Sequence, residues 1–350
     1  MSANTHRLEL QASPHLHKPI SVDRIMYQVI YALVPVCAFS VWQFGLSALA
    51  LLLTCTAVCV LTEQLCCRLS AKPSAVSDGS IVITGILLAL TLPPGFPLWM
   101  AALGAFVSVA LGKALFGGIG FNVFNPALVG RAFLQASFPV AITTWTPSFA
   151  ARRFTEFVPS TWTPPFCKPP ATDAWSQSVA IDGFSGATPL ALQKFAQIDT
   201  DVWELLIGMT SGSAGETSAL LLMAAGVYLV ARQLMNWRVP ASVLGSAFLM
   251  SGAFYLVDSE FYPNPFFMLF SGGLMLGAVF MASDMVGSPV TPVGIWIYGA
   301  LIGGLTVLIR LQGGLPDGVM YAILLGNALT PLIDQWTQPR IFGGRKVRHG

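Results

Sequence analysis

Residues 46–66 read LSALALLLTCTAVCVLTEQLC, an apolar run whose one charged side chain, Glu63, lies close to its end. A helix rises about 1.5 Å per residue, so a run of roughly 20 such residues covers the ~30 Å hydrocarbon core of a bilayer. Lipid offers backbone groups no outside partner, and a lone apolar segment of this length therefore reads as a membrane-spanning helix. The whole chain has the same character. Hydrophobic residues make up 54% and charged residues 10%, against about 25% charged in soluble domains, and mean hydropathy is +0.68. A water-soluble globule is excluded. The net charge of +2, with no basic stripe interleaved with aromatics, gives no footing for nucleic acid. The chain reads as an all-α polytopic membrane protein.

Outward from this run, apolar stretches predict ten spans, near 26–44, 46–66, 80–93, 97–112, 123–140, 217–233, 239–257, 264–283, 293–309 and 318–334. Several are too short to cross a bilayer alone. The third is trimmed by Pro93, Pro94 and Pro97, and the fifth by Gly117, Gly118, Gly120 and Pro126. Broken helices at membrane depth survive only where protein or a cavity surrounds them, so they mark where a ligand can sit. Five parts result: a polar N-terminal segment 1–25, a first membrane half 26–140, a long connection 141–216, a second half 217–334 and a basic tail 335–350. The first 25 residues have no apolar core, so the first span, not a cleavable signal, is expected to direct insertion.

Basic residues fix an expected orientation. Arg24, Arg68, Lys72, Lys113, Arg232, Arg238 and Arg340 fall on one side, with Arg310 the exception opposite them. The positive-inside rule then places both termini in the cytoplasm and the 141–216 connection on the periplasmic face. The basic tail is expected to rest on anionic lipid. Gly117, Gly118 and Gly130 match Gly313, Gly314 and Gly326 at one constant offset, as Leu115 and Leu128 match Leu311 and Leu324. Two halves of five spans in opposite orientation, an inverted repeat, would give this pattern; so would chance, because Gly is common in membrane helices.

Inside the long connection stands Ile181-Asp182-Gly183-Phe184-Ser185-Gly186-Ala187-Thr188-Pro189-Leu190. Small residues before Thr188 and a proline after it leave its hydroxyl open to an incoming group, although Ser, Gly and Thr are also ordinary turn residues. Further blocks stand out: Ser13-Pro14-His15-Leu16-His17, the run from Phe116 to Asn122, Asn125-Pro126-Ala127-Leu128 through Leu134, Gly212-Ser213-Ala214-Gly215-Glu216-Thr217, Asn264-Pro265, Met281-Ala282-Ser283-Asp284 and the run from Ala322 to Ala328.

Together these blocks, in this order, resemble the membrane subunits of bacterial Rnf and sodium-pumping NADH:quinone reductase complexes, with the length of the Rnf branch. The resemblance departs where Met285, not proline, follows Asp284. It implies FMN joined through its phosphate to Thr188, with Asp182, Ser185, Gly186 and Ala187 shaping the attachment loop; Arg131 and Asn125 are candidate further flavin contacts. It also implies a separate flavin transferase, a neighbouring periplasmic FMN-bearing subunit, the other subunits of the complex, and a second, noncovalent flavin such as riboflavin within the bundle. Ferredoxin and NAD redox chemistry would be coupled to Na+ or H+ movement. Backbone amides of a Gly-rich turn can cradle the single charge of a phosphodiester.

Other residues are read on their own terms. Glu63, Asp78, Glu216, Asp284 and Asp317 lie at or near span ends, where they are ion-pathway candidates or solvated helix ends. Glu216 also suits a helix start by its charge. Arg131 is the basic residue set deepest in a span; a flavin contact and a carboxylate pair both stand open for it. Cys55, Cys59 and Cys66 share a helical face as small buried side chains rather than cluster ligands, and His15 and His17 lack further metal ligands. No dinucleotide fingerprint follows a strand, so NADH binding belongs to another subunit. The competing class is a solute transporter or channel, because inverted repeats with acids at broken helices serve that equally well.

Overall fold

The computed structural model describes residues 21–71, 76–118, 120–172, 175–176, 178, 187–216 and 218–339. The N-terminal His15 and His17, the tail from Arg340 onward, and Asp182, Ser185 and Gly186 lie outside the described residues. Among those described, every regular element is helical. Four helices are long and apolar enough to cross a membrane: α1 (Val22–Phe44), α2 (Leu46–Leu69), α7 (Arg238–Val257) and α9 (Pro292–Gln312). Between them lie α3 (Ser80–Leu90), α4 (Leu98–Val109), α5 (Pro126–Ser137), α6 (Ala219–Ala231) and α8 (Pro265–Phe270), and α10 (Val319–Thr337) follows the last. The chain is a multi-pass helical membrane protein.

Local chemistry explains where the short helices stop. α5 starts at Asn125, whose side chain accepts the Ala127 amide at 3.1 Å, with Pro126 in the first turn, where its missing N–H costs nothing. α3 ends before Pro93 and Pro94; Thr91 and Leu92 cap the carbonyls of Leu87, Leu88 and Ala89, which leaves those of Leu90 and Leu92. They are taken by another segment: Ala214 donates to Leu92 O at 3.0 Å and Gly215 to Leu90 O at 2.8 Å. A helix that ends inside the protein is thus completed by the loop that carries Glu216.

The long connection packs over one end of the helices. Leu46 N donates to Arg153 O at 2.9 Å and Leu98 N to Thr161 O at 3.1 Å. The Gln43 amide donates to Gly208 O at 2.9 Å and Thr210 O at 2.8 Å. The turn between α1 and α2, the start of α4 and the end of α3 therefore meet at this end. At the interface of α7 and α9, small residues let the backbones approach: Ser246 Oγ donates to Gly299 O at 3.0 Å, beside Gly303 four residues on.

The opposite end is tied by charge. α4 runs on into a wide π turn, Ala110–Ala114, which points Lys113 inward. Its ammonium donates to both Glu63 carboxylate oxygens at 2.7 and 2.9 Å and to Ser80 Oγ at 2.8 Å, and Ser80 in turn donates to Asp78 at 2.6 Å. Both partners are about 5% exposed. Removing one member strands a buried charge, at a cost of about 3–5 kcal/mol. Lys113→Met is expected to lower the melting temperature of the detergent-solubilised protein sharply, and Lys113→Met with Glu63→Gln to restore most of it. Equal melting temperatures for the single and double variants would show that the pair contributes nothing.

Candidate functional site

Thr188 stands at the head of the short helix Pro189–Ala191, where its hydroxyl oxygen accepts the Ala191 amide at 3.3 Å. This use consumes a lone pair and leaves the hydroxyl hydrogen free to be replaced, so an ester at Oγ1 is compatible with the cap. Two anchors hold the segment. Leu190 is buried with Leu205, Phe267 and Met268 in a small apolar cluster separate from the main core. Lys194, in the π turn Leu192–Ala196, donates to backbone carbonyls at the end of α9. Burial lowers the Lys194 pKa from its usual value, because a desolvated ammonium is disfavoured.

Thr188 opens onto a cavity of about 820 Å³, counted to its open mouth, whose walls include Arg131, Trp145, Ser213, Glu216, Phe270, Asp317 and Tyr321. Its floor is a break in a helix. α8 ends at Ser271, Gly272 takes φ +61°, and the helix resumes at Leu274–Leu276 before the π turn Gly277–Met281. Arg310 from α9 satisfies the carbonyls of the broken end, donating to Met268 O at 2.6 Å and Ser271 O at 3.0 Å. Asp317 accepts the Gly273 amide at 3.2 Å at the resumed end and pairs with Arg310 at 3.0 Å. A cation thus meets the carbonyl end and an anion the amide end, as both helix dipoles favour.

Glu216 completes the group. It pairs with Arg131 at 3.5 Å, and a Cβ on Gly273 would stand 2.6 Å from its carboxylate. Glycine at both 272 and 273 is therefore required, the first by backbone angle and the second by space. Two arginines and two carboxylates leave the cluster formally neutral.

The sequence-derived candidates separate into two places. Thr188, Arg131, Glu216 and Asp317 meet at this cavity, with Ala187 next to Thr188 in the chain. Asn125 and Asp284 line a second cavity, with Ser80, Lys113 and Asn122. Through Lys113 and Ser80, Glu63 and Asp78 are bonded to the wall of that second cavity. Asn122 donates to Asp284 at 3.5 Å, and Asn125 to Met281 O at 3.4 Å.

Glu63 is not a solvated helix end, because it is buried and paired with Lys113, while Glu216, Asp284 and Asp317 are part-buried at the cavities they line. Arg131 lies in the middle of α5, while the least exposed arginine is Arg310, 3% against 9%, in the last turn of α9 where it reaches the break after α8. Of the three cysteines on one face of α2, Cys55 and Cys59 are fully buried while Cys66 is half-buried. Lys194 and Gly272 were not legible as site residues. Arg310 carried a signal, as the one basic residue on the wrong side.

A polytopic helical membrane protein with paired charges around helix breaks is the class these features define. The chain belongs to the NQR2, RnfD, RnfE family, whose pattern matches residues 9–343. It is 38% identical over 347 residues to the D subunit of the proton-translocating ferredoxin:NAD(+) oxidoreductase complex of Clostridium ljungdahlii, covering 96% of each chain. It is 38% identical over 349 residues to the D subunit of the Na(+)-translocating ferredoxin:NAD(+) oxidoreductase complex of Acetobacterium woodii, covering 99% of this chain and 98% of that one. To the D subunit of the ion-translocating oxidoreductase complex of Halorhodospira halophila it is 36% identical over 357 residues, covering 97% and 96%.

A methyl group at residue 272 would stand 2.5 Å from Leu190 Cδ1 and impose a disfavoured backbone angle. Gly272→Ala is expected to cost about 1–3 kcal/mol and to loosen the Thr188 segment, read as faster proteolytic cleavage between Thr188 and Ile198. An unchanged cleavage rate would mean that Leu190 does not anchor the segment.

Proposed function

We propose that this protein is a membrane subunit of an ion-translocating ferredoxin:NAD oxidoreductase complex and carries FMN covalently on Thr188. It is not catalytic alone. The observation that carries the flavin reading is the meeting of Thr188 with a cavity bearing flat side chains and a guanidinium. Trp145, Phe270 and Tyr321 offer faces to a planar ring, and Arg131 offers a cation to a phosphate or a ring edge. FMN supplies one- and two-electron redox chemistry; the chain supplies position and electrostatics. Thr188 tethers, Arg131 and the paired acids set the local charge, and Leu190 with Lys194 holds the tether in place.

The relatives' names extend the reading to assembly. The chain takes its place among the other subunits of an Rnf-type complex in the bacterial inner membrane, next to a periplasmic FMN-bearing subunit, after loading by a flavin transferase. Equal identity to a proton-translocating and a sodium-translocating relative leaves the coupling ion as Na+ or H+. Ten passes in two inverted halves fit the helix order, in which α4 and α9, like α5 and α10, fall near the 196-residue offset of Gly117 and Gly313; both termini cytoplasmic and Thr188 periplasmic rest on the distribution of basic residues. The second cavity, with Asp284, Asn122 and Lys113, is the proposed place for a noncovalent flavin such as riboflavin. Glu63, Asp78, Asp284, Glu216 and Asp317 are the proposed ion-pathway groups.

The test is in-gel flavin fluorescence of the denatured subunit, purified from its own host, beside Thr188→Val. Fluorescence that survives denaturation in the wild type and disappears in the variant is expected. Its absence from both, with the transferase active on another subunit, would favour a solute transporter or channel instead.

A further inference from the structure

The ammonium of Lys194 sits among four backbone carbonyls. It donates to Arg310 O at 2.8 Å, to Leu315 O at 3.1 Å and to Gly313 O, with Ile309 O at 3.5 Å. Ile309 and Arg310 belong to the last turn of α9, and Gly313 and Leu315 to the chain leaving it. Ile309 O also accepts the Gly313 amide at 2.9 Å, so Lys194 adds a cation to the carbonyls at and just past the negative end of the helix, where hydrogen bonds and dipole both favour it. A lysine ammonium is a compact point charge with three rotatable donors, which suits convergent carbonyls; the wide planar fork of arginine does not.

The seat is tied in two directions. Toward the cavity, Leu192 N donates to Thr188 O at 2.9 Å, so Thr188 and Lys194 stand on one continuous helical stretch and move as a unit. Toward the helix break, the residue whose carbonyl receives Lys194 is Arg310, whose guanidinium holds Ser271 O and Asp317. The segment carrying Thr188 and the ion-paired break in α8 are therefore fastened to the same turn of α9. Leu190 contributes the apolar half of this attachment, and an apolar plug alone leaves rotation about its own axis free.

We propose that Lys194 is the positioning residue of the flavin-bearing segment: seated in the carbonyl end of α9, it fixes Thr188, and the flavin attached there, at one place over the cavity. This rests on the reading of Thr188 as the attachment point. Lys194 acts through Thr188 and touches no reacting atom. Small displacements of a reacting group cost large factors in rate, on the order of 100-fold per Å. The residue therefore governs turnover and not the binding of ferredoxin or NAD.

The experiment uses the whole complex in its own membranes, comparing wild type with Lys194→Met, Lys194→Arg and, as a control in the same connection, Lys168→Met. Covalent flavin per subunit is read by in-gel fluorescence, and kcat and KM from ferredoxin:NAD+ oxidoreduction. Lys194→Met is expected to keep its flavin and both KM values while kcat falls on the order of tenfold or more; Lys194→Arg recovers part of the loss, and Lys168→Met matches wild type. A flavin-loaded Lys194→Met complex with wild-type kcat overturns the proposal, and so does a methionine variant that assembles without flavin, because the residue would then serve attachment. Where the methionine variant does not assemble, Lys194→Arg decides: reduced kcat at full flavin occupancy supports positioning, and wild-type kcat overturns it. Absence of covalent flavin from the wild type is a separate result, seen before any variant is compared, and sinks the Thr188 reading itself.

Discussion

Backbone groups that end inside an apolar protein must find partners, and this constraint organises the structure. α3 and α8 both stop where a membrane helix would ordinarily continue. Each stop exposes carbonyls or amides that lipid cannot satisfy, at a cost of several kcal/mol apiece. The chain answers differently in the two places. At α3 the backbone of Ala214 and Gly215 supplies the missing donors. At α8 the side chains of Arg310 and Asp317 supply a cation and an anion. Those two answers bring Glu216 and Asp317 to the same cavity, so the cost of breaking helices also assembles the polar site.

Charge within the fold follows from the same constraint. Lys113 with Glu63, Arg131 with Glu216 and Arg310 with Asp317 are each buried pairs, and none is expected to add much net stability over apolar residues of similar size. Their persistence is better understood as specificity and function. One pair borders the cavity containing Asp284, and two border the cavity containing Thr188. α5 runs between the cavities, with Asn125 and Pro126 at one and Arg131 and Gln135 at the other. A change of charge in either cavity thus meets the same short helix.

Much of the site was legible as residue types. Glu216, Asp317 and Arg131 stood out because ionisable groups are costly in apolar surroundings, and Thr188 because a small-residue loop preceded it. Their grouping was not legible: Arg131 and Asn125 stood together as flavin candidates, yet they line different cavities. Lys194 escaped notice because a lysine in a long outer connection is ordinarily a solvated surface charge. Nothing local to it records the four carbonyls it meets, which come from residues more than 100 positions away.

The sequence by itself determined the class of the protein. Apolar runs of set length admit only helices in lipid, prolines and glycines mark where those helices stop, and ordered motifs spanning the chain indicate the family. The tertiary structure decided which broken end receives which partner, which acid faces which arginine, and which cavity each candidate joins. Helix formation depends on neighbours along the chain, whereas the pairing of a buried charge depends on whatever the rest of the fold brings within about 3 Å of it.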